Sequence, residues 1–206
     1  MRVLIVDDHP IVVSGCRALH AGNPAIVFLE AADAESGERL FVAEQPDICV
    51  LDINLPSVSG FELARRILSR DPAARIIMFS MNDDPVFAAR AIEAGAKGYV
   101  SKSGDPNDLV EAICEVGRGG VFLPAAIAQS IAFAGPGLAQ NPLAKLTTRE
   151  IEILRLLSAG NSLSEIAWQV HASYKTIANT SSLMRQKLGV RSAAELVRLA
   201  IACRLA

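Results

Sequence analysis

The sequence predicts an α/β fold, a doubly wound five-stranded parallel sheet of order 2-1-3-4-5, followed by an all-α four-helix domain with a helix-turn-helix. Three observations predict it. Residues 1–117 alternate five short apolar runs with five longer amphipathic segments. The runs are continuously apolar, without in/out alternation, as expected of a sheet covered on both faces. Residues 143–206 lack such runs. They carry Thr147-x-x-Glu150, Ser162-x-x-Glu165 and Ser192-x-x-Glu195, each opening an apolar-periodic segment in the manner of a helix capping box.

In chain order, the strands are expected at 2–6, 26–30, 47–51, 75–79 and 97–100, and the helices at 10–21, 34–44, 60–69, 84–94 and 106–117. Five βα units of this kind build a doubly wound sheet. In this strand order a ligand binds beyond the carboxyl ends of strands 1 and 3, where the order reverses. Asp7 and Asp8 end strand 1, and Asp52 ends strand 3. Topology therefore gathers three carboxylates. Crowded carboxylates repel unless a cation or a proton offsets them, and an all-oxygen set suits Mg²⁺. The pocket reads as a Mg²⁺ site containing a spare nucleophile, Asp52.

Residues 119–144 contain no charge and are punctuated by Gly119, Gly120, Gly135, Gly137, Pro124, Pro136 and Pro142. A short helix over 125–133 and a flexible linker over 134–142 are expected. This divides the chain into domains 1–120 and 143–206, joined by 121–142. The segment reads as a plain tether, or as one whose Ile127, Ile131 and Phe133 pack on a neighbour. Beyond it, helices are expected at 148–158, 163–170, 174–188 and 193–204. Ser173 can cap the third and Gly189 can close it. The tight 163–170/174–188 pair has helix-turn-helix spacing.

The 206 residues are 51% hydrophobic and 20% charged, with a formal net charge of −2. Residues 1–122 hold 11 Lys/Arg against 18 Asp/Glu, net −7, and residues 143–206 hold 9 against 4, net +5. The basic half is the candidate for phosphate backbones. Cys16, Cys49, Cys114 and Cys203 lie scattered in apolar stretches without a C-x-x-C pair, so buried free thiols are expected. His9, His20 and His171 show no metal-ligand spacing, and Trp168 is expected in the helical core. No run approaches the roughly 20 apolar residues of a membrane span. The chain enters a strand almost at once, so no signal peptide, no membrane contact and a cytoplasmic location are expected.

The first domain resembles a response-regulator receiver through Asp7-Asp8, Asp52 within Leu-Asp-Ile-Asn-Leu-Pro, Ser80 and Tyr99-x-x-Lys102. Residues 146–204 resemble a LuxR-type helix-turn-helix through Leu146-Thr-Thr-Arg-Glu, Glu165-Ile-Ala, Lys175-Thr176 and Lys187-Leu-Gly-Val. Together they resemble the NarL/FixJ family of two-component regulators over nearly the whole chain. The resemblance implies a flavodoxin-like receiver phosphorylated on Asp52 by a sensor histidine kinase. Mg²⁺ would be held by Asp8, Asp52 and the backbone carbonyl of Asn54, with Asp7 binding directly or through water. Lys102 would pair with one phosphoryl oxygen and Ser80 with another, and Tyr99 would turn inward as the switch. The phosphorylated receiver would dimerise or release its effector domain, and a homodimer would bind double-stranded DNA and control transcription. An enzyme is not expected. A phosphohydrolase of related chemistry needs a second acid two residues after the nucleophile, and that residue is Asn54. Only self-limited hydrolysis of the protein's own acyl phosphate is expected.

The 174–188 helix would lie in the major groove, with Lys175, Arg185, Lys187 and Arg191 on phosphates. Asn179, Thr180 and Ser182 would face base edges, and Thr176 belongs to the same contact set. The family pattern is broken in places. Ala178 stands where Lys is usual, Thr180 where His is usual, Ser181 where an apolar residue is frequent, His171 where the turn has Gly, and Leu183 where a polar residue is usual. Two readings stay open: DNA binding with altered specificity, or a domain drifted toward protein contact with Leu183 as anchor, in a phosphate sink or partner-binding regulator.

Overall fold

The apolar runs form β1 (Arg2–Val6), β2 (Val27–Ala31), β3 (Ile48–Asp52), β4 (Ile76–Ser80) and β5 (Gly98–Ser101). All pair in parallel, in the order β2-β1-β3-β4-β5. The computed structural model describes residues 1–19, 26–56, 58–81, 83, 85–134, 142–170 and 172–203. Between and after the strands run α1 (Pro10–Leu19), α2 (Ala34–Glu44), α3 (Gly60–Arg70), α4 (Pro85–Glu93) and α5 (Pro106–Gly117). Every residue of β3, β4 and β5 is buried, as the uninterrupted apolar runs require. On one face Val3, Ile5, Ile48, Val50, Ile77, Phe79 and Val100 pack with Leu109, Ile113 and Val116 of α5.

The last four strands each sit one residue later than the apolar runs predict. Backbone pairing continues through the polar residues Asp52, Ser80 and Ser101, because the ladder is set by N–H and C=O groups rather than by side-chain polarity. Local signals fix the helix starts. Asp33 caps α2 by accepting from the Ser36 N–H at 2.8 Å, Ser59 caps α3, and Asp105 precedes Pro106 at the start of α5. The start of α3 comes very close to β3: a Cβ on Gly60 would lie 2.0 Å from the Asp52 carbonyl oxygen.

After α5 the chain returns to the sheet edge. The Tyr99 N–H donates to the Phe122 carbonyl at 3.0 Å, and the Phe122 N–H donates to the Lys97 carbonyl at 2.9 Å. Helix α6 (Ala125–Ala134) follows and packs on α4. The chain divides into two compact units, Met1–Gly135 and Pro136–Ala206, so α6 belongs with the first. Of the three apolar residues singled out in this segment, Ile127 is buried, Ile131 is half-buried and Phe133 is 90% exposed. Most of the expected flexible linker, at 135–141, lies outside the described residues.

The second unit holds a 3-10 turn (Pro142–Lys145), α7 (Thr148–Ser158), α8 (Leu163–Gln169), α9 (Tyr174–Leu188) and α10 (Ala193–Ala202). Its core includes Leu143, Leu146, Leu154, Ile166, Ile177, Met184 and Leu196. Two of the three expected capping boxes are complete, at Thr147/Glu150 and Ser162/Glu165. In the third, the Glu195 N–H donates to Ser192, but the Glu195 carboxylate accepts from the Arg191 N–H at 2.8 Å instead of closing the box. Ser173 caps α9, and Gly189 closes it at φ 70°.

Two core expectations are corrected. Trp168 is 80% exposed: α8 buries Ile166 and Ala167, its C-cap Val170 is buried too, and Trp168 falls out of phase with them. Cys16 and Cys49 are buried free thiols, but Cys114 is exposed and Cys203 half-buried. On α5 the buried phase is Leu109, Ala112, Ile113 and Val116, which leaves Cys114 outside. No helix among the described residues is long and apolar enough to cross a membrane.

Candidate functional site

Strand register builds the first site. Val6 of β1 pairs with Leu51 of β3, so Asp7 and Asp52 follow side by side. Asp52 pairs with Phe79 of β4, and Ser80 pairs with Ser101 of β5. Lys102 comes next, with its N–H donating to the Ser80 carbonyl at 2.6 Å. The Lys102 side chain is only 3% exposed, and its Nζ lies 2.7 Å from Asp7 Oδ2 and 2.9 Å from Asp52 Oδ2. Ser80 and Tyr99 are fully buried. Tyr99, expected to turn inward, already stands inward.

The charge balance is incomplete. Asp7 Oδ2 and Asp52 Oδ2 are buried against the Lys102 ammonium and Asp8 Oδ1 against His9 Nδ1, with no further donor among the described residues. One ammonium is thus shared between the carboxylates of Asp7 and Asp52. The Asn54 N–H donates to Asp52 Oδ1 at 3.1 Å. Burial raises the Asp52 carboxyl above the usual carboxylate range, Lys102 and the Asn54 N–H pull it back, and Asp7 adds to the rise. Converging oxygens of three acids served by a single ammonium fit a hard divalent cation.

His9 belongs to this cluster, against the expectation from spacing. Its Nδ1 lies 2.8 Å from Asp8 Oδ1 and 3.2 Å from Asp7 Oδ1. Asp7, Asp8, His9 and Asp52 each offer a ligand atom within 4.8 Å of the others. The signal was adjacency in Asp-Asp-His rather than helical spacing. His20 and His171 lie outside the described residues. A further contact had no sequence signature: Ser103 Oγ bonds Asp83 Oδ2 at 3.1 Å, tying the loop after β4 to the loop after β5.

On α9, the exposed residues include Lys175, Thr176, Asn179, Ser182, Leu183 and Gln186, while Ile177, Ser181 and Met184 face inward. Several predicted contact residues already have partners. Thr176 Oγ1 lies 2.8 Å from Ser173 Oγ in the cap, and Thr180 Oγ1 donates to the Thr176 carbonyl at 2.9 Å. The Arg185 Nε donates to the Ser181 carbonyl at 3.4 Å. Lys187, expected on a phosphate, has its Nζ 2.8 Å from both carboxylate oxygens of Glu150, which also closes the α7 cap. Its role here is to tie α9 to α7.

Residues 3–114 match the response regulator receiver domain, and residues 144–200 match the bacterial regulatory proteins of the luxR family. The chain belongs to the LuxR-type two-component response regulators. The regulator is 35% identical over 205 residues to the transcriptional activator protein ExaE of Pseudomonas putida, covering 98% of this chain and 96% of that protein. Among solved structures, a LuxR-family two-component response regulator from Aurantimonas sp. SI85-9A1 superposes with a TM-score of 0.61 at 46% identity, covering 64% of this chain and 95% of that one. RcsB from Salmonella enterica serovar Typhimurium, bound to promoter P1flhDC in the presence of the phosphomimetic BeF3-, gives 0.59 at 28% identity, covering 97% of each chain. By this match the second unit is a LuxR-type DNA-binding domain.

Proposed function

We propose that the regulator is phosphorylated on Asp52 by a sensor histidine kinase in the cytoplasm, and then controls transcription as a DNA-bound homodimer. The observation that carries this is the Lys102 ammonium lodged between the buried carboxylates of Asp7 and Asp52 at the strand ends. A carboxylate oxygen of Asp52 attacks the phosphorus of a phosphohistidine. The P–O bond forms as the P–N bond breaks, and the imidazole leaves and takes up a proton. Asp8, Asp52 and the Asn54 carbonyl would hold Mg²⁺, with Asp7 completing the set directly or through water. When bound, Mg²⁺ offsets the repulsion between the anionic nucleophile and the phosphoryl group.

Lys102 is within reach to exchange a carboxylate for a phosphoryl oxygen. Ser80, buried at the end of β4, supplies its hydroxyl to a second. Ser80 ends β4 and Lys102 follows β5, and the loops after these strands are joined by Asp83 and Ser103, so a pull at the phosphoryl group reaches both loops. Tyr99 already occupies the inward position that phosphorylation would favour. Asn54 in place of a second acid limits hydrolysis to the regulator's own acyl phosphate. Helix α9 enters the major groove. A relative captured on a promoter with a phosphomimetic supports the link between phosphorylation and DNA.

Incubation with a small-molecule phosphodonor and Mg²⁺ is expected to add one phosphate, which Asp52→Asn or excess chelator abolishes. Retained phosphate on Asp52→Asn would overturn the assignment.

A further inference from the structure

The partners already taken on α9 narrow what its exposed face can read. Lys175, Asn179, Ser182, Leu183 and Gln186 lie at i, i+4, i+7, i+8 and i+11, one stripe along the helix, and all are exposed. Thr176, Thr180, Arg185 and Lys187 are engaged within the domain. Guanine is read chiefly by paired donors from Arg or Lys, adenine by Asn or Gln, and thymine by apolar contact with its methyl group. The middle of this stripe holds no basic side chain. It holds an amide, Asn179, and an apolar residue, Leu183, one turn later. Lys175 sits a turn before them, where a guanine or a phosphate at the edge of the site can be met.

A single exposed leucine is ordinary on a protein surface. Leu183 differs by its place: it is 53% exposed on an otherwise polar stripe, between Asn179 and Gln186. Water is a poor partner for it there, and a methyl group in the groove is a good one.

We infer that α9 reads a half-site centred on A·T pairs, with Asn179 bonding the major-groove edge of an adenine and Leu183 packing on a thymine methyl group. The inference rests on the placement of α9 in the major groove proposed above. Ala178 strengthens it, since the helix carries no long basic side chain beside Asn179 to favour guanine.

The test is selection from a random DNA pool by the full-length protein, treated with phosphodonor and Mg²⁺, for wild type, Asn179→Ala and Leu183→Ala. Both variants alter exposed positions, and a matching melting temperature shows that they are folded. The selected wild-type site is then remade with deoxyuridine replacing thymine one position at a time. Wild type is expected to enrich adjacent A·T pairs and to lose about 3- to 5-fold in affinity at one uracil position, the value of one buried methyl group. Leu183→Ala is expected to be insensitive to that replacement. Asn179→Ala is expected to lose about 10-fold of preference for adenine at one neighbouring position. A G·C core, or uracil costs that are absent or equal in Leu183→Ala, overturns the inference while leaving α9 as the reading helix. Absence of any enriched sequence overturns both.

Discussion

Asp52 sits 2% exposed among like charges, with one ammonium shared between it and Asp7. Its raised carboxyl means that ionising this side chain works against the fold. Neutralising it is therefore expected to stabilise the metal-free regulator: Asp52→Asn should raise stability by about 1–2 kcal/mol in chelator. Calorimetry checks this, and an unchanged or lower melting temperature contradicts it. The pH dependence has a definite sign. The native state keeps the Asp52 proton to higher pH than the unfolded chain does, so stability from this group falls as pH rises from the ordinary carboxylate range through the raised value. Asp52→Asn should flatten that slope. The cysteines give an independent test. Burial pushes the Cys49 thiol up to about 12, and burial with Asp7 pushes Cys16 up to about 11, from 9.0. A thiol reagent at mildly alkaline pH should therefore modify exposed Cys114 first and reach Cys16 and Cys49 only as the protein unfolds. Above pH 9.0 the unfolded thiols ionise while the native ones stay protonated, so stability should decline further.

Elements differ in how tightly they are specified. Gly60→Ala puts a methyl group onto the Asp52 carbonyl and should cost about 2–4 kcal/mol in thermal or denaturant unfolding. On α6, Ile127→Ala should cost about 2–4 kcal/mol and Phe133→Ala close to nothing, because only Ile127 is buried. Equal costs would contradict the docking of α6 on α4. The same contrast shows where sequence reading succeeds and where it stops. The strands, the helix starts and the acidic pocket were legible, because apolar runs, caps and strand-end carboxylates are local signals that the register then assembles. Trp168 and Cys114 were misread because residue type was weighed above helical phase; each lies off the buried phase of its own helix. The Glu150–Lys187 tie and the Asp83–Ser103 clasp join residues distant in sequence, and no local pattern announces either.

Across the whole chain, residues 1–122 carry a net −7 and residues 143–206 a net +5, yet little of the basic charge near α9 is free for DNA. With Lys187 on Glu150 and Arg185 bonded to a carbonyl, Lys175 and Arg191 remain as exposed cations at the two ends of the helix. A dimer using these alone should show log K falling against log salt with a slope of about −4. A titration giving about −8 or steeper would show that further basic residues engage. The strap formed by Phe122 has a different consequence at this scale. A strand edge with unpaired N–H and C=O groups invites strands from other molecules. The Tyr99 N–H and the Lys97 carbonyl on the β5 edge are occupied by Phe122. The strand beside the switch is thus shielded from cross-β association by the first residues of the connector itself. Shortening that connector would make the protein prone to aggregate before it made it deaf.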